Sequence, residues 1–198
     1  MWSPSPNMKV CFVTTGATAP FTALIESVLK PSSIDAFKDA GYTHLLIQYG
    51  TAKNVFDSSM GSVRSQLQPE AGKEGLIVGG FDFNPDGLKT QFKLVGDSKG
   101  VVISHAGSGS ILEALRYQLP LIVVPNTALL NNHQEELAVA MEKSKYLLKG
   151  DIQQLAPAIR KSEEFRNKMG QFPPITSGRH RETKSFGAIM DETLGFLE

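Results

Sequence analysis

Cysteine is nearly missing from this chain of 198 residues: Cys11 is the only one. No internal disulfide and no multi-cysteine zinc site can therefore form, a usage that suits a reducing compartment. Charge of either sign is not in excess, because 20 basic residues balance 20 acidic ones. A zero net charge argues against a dedicated nucleic-acid binder. Long apolar runs are also missing, since the hydrophobic stretches are strand-length and fall well short of the roughly 20 residues of a membrane span. The first seven residues, Met1-Trp-Ser-Pro-Ser-Pro-Asn7, lack the basic and apolar regions of a signal peptide. A soluble, cytosol-type protein is expected, whose membrane role, if any, needs a partner or a surface helix. Internal repeats and low-complexity tracts do not occur.

What is present is a packed α/β pattern. Hydrophobic residues make up 41% of the chain, enough for a core. Residues 1–7 read as a flexible leader. Apolar strands are expected at 8–14, 43–49, 76–83, 101–104, 121–124 and 146–148. Helices are expected at 21–29, 33–40 and 86–95, with weak helical character over 55–67. Gly79-Gly80 is read as a weak point or bend in the third strand. Strands that are apolar throughout and alternate with helices call for a parallel sheet covered on both faces, a Rossmann-like architecture. Residues 8–170 are assigned to this domain and 171–198 to a loop and C-terminal helix.

The stretch 101–125 organises the rest. An apolar run stops at Ser104-His105, a small-residue loop Ala106-Gly107-Ser108-Gly109-Ser110 follows, and then come a helical pattern over 111–118 and a second apolar run. This is a βαβ unit with its loop where a strand ends and a helix begins. Free backbone N–H groups and the helix dipole favour an anion there. A second small-residue loop, Gly16-Ala17-Thr18, ends the first strand. Ligands of parallel sheets bind outside the carboxyl ends of the strands, where both loops fall. The second loop is no G-x-G-x-x-G, because Leu112 occupies the third position, and no P-loop, because no Gly-Lys-Ser/Thr follows. It reads as a diphosphate cradle or a tight turn.

Several side chains have two readings. Ser110 and Glu113 match a capping box, yet a carboxylate one turn into such a helix also suits ribose hydroxyls. His105 either bonds a phosphate oxygen or is a satisfied strand-end histidine. In the run Asn131-Asn132-His133-Gln134-Glu135-Glu136, Asn132 can cap a helix, while His133, Gln134 and Glu135 are not needed for that and suit sugar hydroxyls. Residues 155–184 lean basic, through Arg160, Lys161, Arg166, Lys168, Arg179, Arg181 and Lys184; the readings are a solvated surface or contact with an anionic substrate or membrane. Phe186, Ile189, Met190, Leu194 and Leu197 recur at three- to four-residue spacing on one face of a C-terminal amphipathic helix. That helix either folds back on its own domain or docks on another subunit. No His/Asp/Glu spacing suggests a catalytic metal, so metal-independent chemistry without a cofactor is expected.

The strings VTTGAT (13–18), IQYG (47–50), GFDF (80–83), ISHAGSGSILEALRYQLPLIVVPN (103–126) and NNHQEE (131–136) resemble the catalytic, donor-binding subunit family of the dolichol-pathway N-acetylglucosaminyltransferase of asparagine-linked glycosylation. More distantly they are similar to the nucleotide-binding half of the bacterial transferase that makes the lipid-linked peptidoglycan precursor. The resemblance implies the C-terminal, donor-binding half of a GT-B enzyme. It implies transfer of N-acetylglucosamine from UDP-N-acetylglucosamine to N-acetylglucosaminyl-diphosphodolichol. A separate membrane-anchored subunit would form a heterodimer with this chain and recruit it to the cytosolic face of the endoplasmic reticulum. Matched position by position, Gly16, Ala17 and Thr18 and then Gly107, Ser108, Gly109 and Ser110 lie near the diphosphate, Glu113 binds the ribose, and His133, Gln134 and Glu135 contact the sugar. The family often has Asp where Asn131 stands and Gln where Glu135 stands. With an acceptor that is a lipid and no span of its own, the chain's C-terminal helix becomes the better candidate for docking. No residue stands out as general base, which the partner could supply. Two rivals are a non-catalytic sugar-nucleotide-binding regulatory module and an NAD(P)-linked oxidoreductase. The second is disfavoured by the missing third glycine and by Gln48-Tyr49-Gly50, which offers no acidic residue at the end of the second strand.

Overall fold

A computed structural model describes residues 5–16, 20–72, 74–126, 133–169 and 189. Six parallel strands run β1 (Val10–Thr14), β2 (His44–Gln48), β3 (Ile77–Phe81), β4 (Val101–His105), β5 (Leu121–Val124) and β6 (Leu148–Lys149). Their order across the sheet is β3-β2-β1-β4-β5-β6. The chain builds outward from β1 to β3, returns to the centre, and builds outward the other way from β4. The reversal lies between β1 and β4, which pair in register from Cys11 opposite Val101 to Thr14 opposite Ser104. Such a switch point leaves a crevice at the carboxyl edge.

The central strands β1, β4 and β5 are buried on both faces, as their pattern required, whereas β3 is half open, with Ile77 exposed. On one face Cys11, Val13, Leu45 and Ile47 pack under α1 (Thr22–Val28), α2 (Pro31–Asp39), α3 (Lys53–Val63) and α7 (Ala156–Met169). On the other, Val10, Phe12, Val102 and Val123 pack under α4 (Lys89–Asp97), α5 (Ser108–Arg116) and α6 (His133–Lys143). The ring of Phe12 stacks with Phe81 at 6.2 Å and meets Phe92 edge-on at 5.8 Å.

Five expectations need correction. Residues 53–63 form a clear helix, because Val55, Phe56, Met60 and Val63 recur at helical spacing and pack against the core. Its Phe56 lies 5.1 Å from Tyr49, ring to ring. A Cβ on Gly80 would come within 2.9 Å of both rings, so the glycine in β3 makes room for this pair. The fourth helix starts at Lys89 and not at 86, because Gly87 adopts φ 80° and its N–H bonds Asn84 O in a turn. The fourth strand runs on through His105. The helix after it begins at Ser108, with Gly107 as N-cap and no side-chain cap, so Ser110 and Glu113 do not form a capping box. Ile189 is 2% exposed and packs in this domain's own core, so that side chain is not available to a partner. Phe186, Met190, Leu194 and Leu197 lie outside the described residues.

The described basic residues of α7 are largely committed to the fold. Arg160 pairs with Asp39 at 3.2 Å, Lys168 with Glu164 at 2.6 Å, and Arg166 donates to Gly100 O at 2.5 Å. Arg179, Arg181 and Lys184 fall outside the described residues. Among the described residues no helix is long and apolar enough to cross a membrane.

Phe92 is fully buried and joins Phe12 to Tyr117. Its replacement by Ala is expected to lower the unfolding free energy by about 3–5 kcal/mol, the usual cost of truncating a core phenylalanine. Lys53→Ala, which removes an exposed pair with Asp57, is expected to cost less than about 1 kcal/mol. Urea denaturation of the two variants measures the contrast.

Candidate functional site

The carboxyl edge of the sheet gathers the small-residue loops around one imidazole. His105 ends β4, and both loops close on its ring. A Cβ built on Gly16 would lie 2.7 Å from the imidazole, and one on Gly107 would lie 2.2 Å from Nε2. Real side chains do not approach that closely, so His105 at this position requires glycine on both sides. Gly16 also has φ +85°, a conformation that other residues resist. The loop before it is tied down. Thr14 donates its hydroxyl to Gln48 Oε1 at 2.6 Å, and Gly16 N–H bonds back to Thr14 Oγ1 at 3.3 Å. Thr15 donates to Gln48 O at 3.0 Å.

Burial holds the His105 pKa below its ordinary value, with the Thr14 backbone opposing in part. The ring is therefore neutral near pH 7. Nδ1 is buried with no hydrogen-bond partner. Ser108, Gly109 and Ser110 form the first turn of α5, whose first backbone N–H groups lack intrahelical acceptors. That turn sits beside His105, so a ligand at this point meets N–H donors, the positive end of the helix dipole and a neutral imidazole, a setting that favours an anion. Ala17 and Thr18 lie outside the described residues.

Glu113 stands half-buried within α5, one turn beyond Gly107–Ser110. Gln134 and Glu135 open α6 at the same edge, beyond β5. Gln134 accepts a bond from Asn126 N–H at 3.0 Å, which ties the first turn of α6 to the end of β5. Glu135 forms an ion pair with Lys149 of β6 and is turned toward it. The side chain of His133, together with Asn131 and Asn132, falls outside the described residues. Among the described residues no cluster of three or more His, Cys, Asp or Glu could hold a metal ion.

The structure adds a feature that sequence reading missed. A cleft of 430 Å³ opens beside the end of β3, walled by Leu46, Phe81 and Leu94, with Asp82, Phe83 and Gln91 also lining it. Phe83 is 58% exposed. The Gly79-Gly80 pair followed by Phe81 and Phe83 is the signal the sequence offers for it.

These features define a class: a Rossmann-like domain with two glycine loops gathered at the switch point of its parallel sheet. The chain matches the glycosyltransferase family 28 C-terminal domain over residues 10–185. The UDP-N-acetylglucosamine transferase subunit ALG13 of Eremothecium gossypii is 35% identical over 181 residues, covering 84% of this chain and 86% of that protein. The human protein of the same description is 36% identical over 141 residues, which are 71% of this chain and 11% of that protein. The solution structure of ALG13 superposes with a TM-score of 0.60 at 27% identity and covers 94% of this chain and 95% of that one. MurG from Acinetobacter baumannii shares the fold with a TM-score of 0.56 at 12% identity, over 84% of this chain and 46% of that one. The chain belongs to the glycosyltransferase family 28 C-terminal domain family. It is a glycosyltransferase subunit with the architecture of the C-terminal half of a GT-B enzyme.

Two predictions concern the imidazole. Gly107→Ala is expected to destabilise the protein by about 1–3 kcal/mol through overpacking, and most of that loss should vanish in a His105→Ala background. Gly16→Ala should stay costly in that background, because its backbone strain remains; melting temperatures of the four variants decide. The second concerns pH. The pKa values of His105 and His44 are both lowered by burial. Below the ordinary value of 6.5 the unfolded chain therefore binds more protons than the folded one, and stability is lost as pH falls through this region. Urea midpoints at pH 7.5 and 5.5 should show this fall, and a His105→Gln, His44→Gln double variant should flatten it.

Proposed function

We propose that this chain is the donor-binding subunit of an inverting transferase that moves N-acetylglucosamine from UDP-N-acetylglucosamine to N-acetylglucosaminyl-diphosphodolichol. The observation that carries the reading is the pair of glycine loops closed on His105 at the sheet's switch point. Its support from kinship is the 35% identity to a UDP-N-acetylglucosamine transferase subunit.

In this reading the donor's diphosphate lies against Gly16 and the first turn of α5, with Ala17, Thr18, Gly107, Ser108, Gly109 and Ser110 around it. Its base extends toward the cleft beside β3, and Glu113 accepts hydrogen bonds from the ribose hydroxyls. Gln134, His133 and Glu135 contact the sugar, with the Gln134 amide nitrogen as a donor. The acceptor's 4-hydroxyl attacks C1 from the face opposite the diphosphate. The C1–O bond to the diphosphate breaks with its electron pair, and UDP leaves. The hydroxyl proton passes to a base on the partner subunit. Backbone N–H groups and the α5 dipole stabilise the departing charge in place of a metal. A membrane-anchored acceptor-binding subunit completes the crevice and holds this chain at the cytosolic face of the endoplasmic reticulum. Phe186, Met190, Leu194 and Leu197 are the side chains left to dock on it.

The test is transfer of radiolabelled N-acetylglucosamine to a lipid-diphosphate N-acetylglucosamine, by this chain alone and with the membrane subunit added. Product should form only with the partner present. Glu113→Ala is expected to reduce kcat/KM by about 10- to 100-fold, the worth of one hydrogen bond to a charged group, with an unchanged melting temperature. Full activity in that variant would sink the ribose assignment.

A further inference from the structure

The cleft beside β3 is lined by the polar side chains of Asp82, Asn84 and Gln91, and one of them has a buried atom without a partner among the described residues. Gln91, in the first turn of α4, is 3% exposed and lines the cleft. Its Oε1 is buried with no hydrogen-bond partner. Folded proteins keep few buried amide oxygens in this state, and an unpaired one is destabilising. Most of the remaining wall is carbon, from Leu46 of β2, Phe81 of β3, Phe83 and Leu94 of α4, with Asp82 and Asn84 the other polar side chains along it. Mainly apolar walls beside a buried carboxamide suit a flat heterocycle, with ring faces against carbon and one polar edge toward the amide.

Position points the same way. The cleft opens at the carboxyl edge, two strands from Gly16 at the end of β1 across the order β3-β2-β1. Strands lie about 4.8 Å apart, so the two places are on the order of 10 Å apart. A ribose and its 5′-phosphate bridge that distance.

We propose that Gln91 reads the base of the bound nucleotide. Its Oε1 accepts the ring N–H of a pyrimidine, and its amide nitrogen donates to the adjacent ring carbonyl. The terminal amide torsion is broad, so the pairing needs only a local rotation. The assignment rests on the donor reading above, in which the base is uracil, and it adds a specificity-determining residue on α4, an element that neither glycine loop touches.

The variants are Gln91→Met, which keeps the bulk and removes the polar group, and Gln91→Glu, which keeps the shape and replaces the donor with a second acceptor. Each is titrated as the full chain with UDP and with pyrophosphate, and its melting temperature is taken without ligand. Gln91→Met should melt about 2–4 °C higher than the parent, because the unpaired oxygen is gone. It should bind UDP about tenfold more weakly, the worth of one hydrogen bond, with pyrophosphate binding unchanged. Gln91→Glu should show the same selective loss of UDP. A packing residue would give a lower melting temperature and unaltered UDP binding, and that result overturns the assignment alone. A parent chain that does not bind UDP overturns the donor reading, and this assignment with it.

Discussion

Everything at the carboxyl edge depends on the contact between one imidazole and two glycines. His105 stands at the end of β4, next to the end of β1, where the sheet reverses its direction of growth. With Gly16 and Gly107 in Cβ-clash distance of its ring, the imidazole sets the gap between the two loops. The gap in turn sets where backbone N–H groups point. Burial holds the ring's pKa below its ordinary value, and the first turn of α5, with its free N–H groups and the positive end of its dipole, lies beside it.

Among the described residues, α1, α2, α3 and α7 lie over the face of Cys11, Val13, Leu45 and Ile47, and α4, α5 and α6 over the other. On that second face Leu46 and Phe81 stay partly open and line the cleft with Leu94 of α4. Such a gap leaves apolar side chains short of full burial, at the carboxyl edge of the sheet.

The sheet and the glycine loop of β4 were legible in the sequence because their signals are local. Apolar runs such as 101–104 and 121–124 have one explanation, a strand buried on both faces, and a glycine-rich break between strand and helix has few. Two things were not legible. The capping box at Ser110 and Glu113 is a local pattern as well, but β4 carries on through His105 and the helix begins three residues before the pattern would start it. Tertiary pairing with β1 and β5 decided the boundary. The clasp of His105 by Gly16 joins residues 89 positions apart, and the cleft at Gln91 needs β2, β3 and α4 together. Periodicity within one segment carries no trace of such meetings.

The acidic and amide groups at the edge divide by what already holds them. Gln134 gives its oxygen to Asn126 and Glu135 gives its carboxylate to Lys149, so both are anchored before any ligand arrives. Anchoring matters more for a sugar than for a phosphate. A phosphate can be held by a dipole field that tolerates small shifts, while a sugar is recognised by hydroxyls whose directions are fixed. The Lys149 pair explains how a carboxylate is accommodated at 135, since β6 supplies the opposite charge. The same pairing makes β6, a two-residue strand at the far edge of the sheet, a support for the site. Its shortness leaves the Glu135 contact as a principal tie between β6 and the first turn of α6.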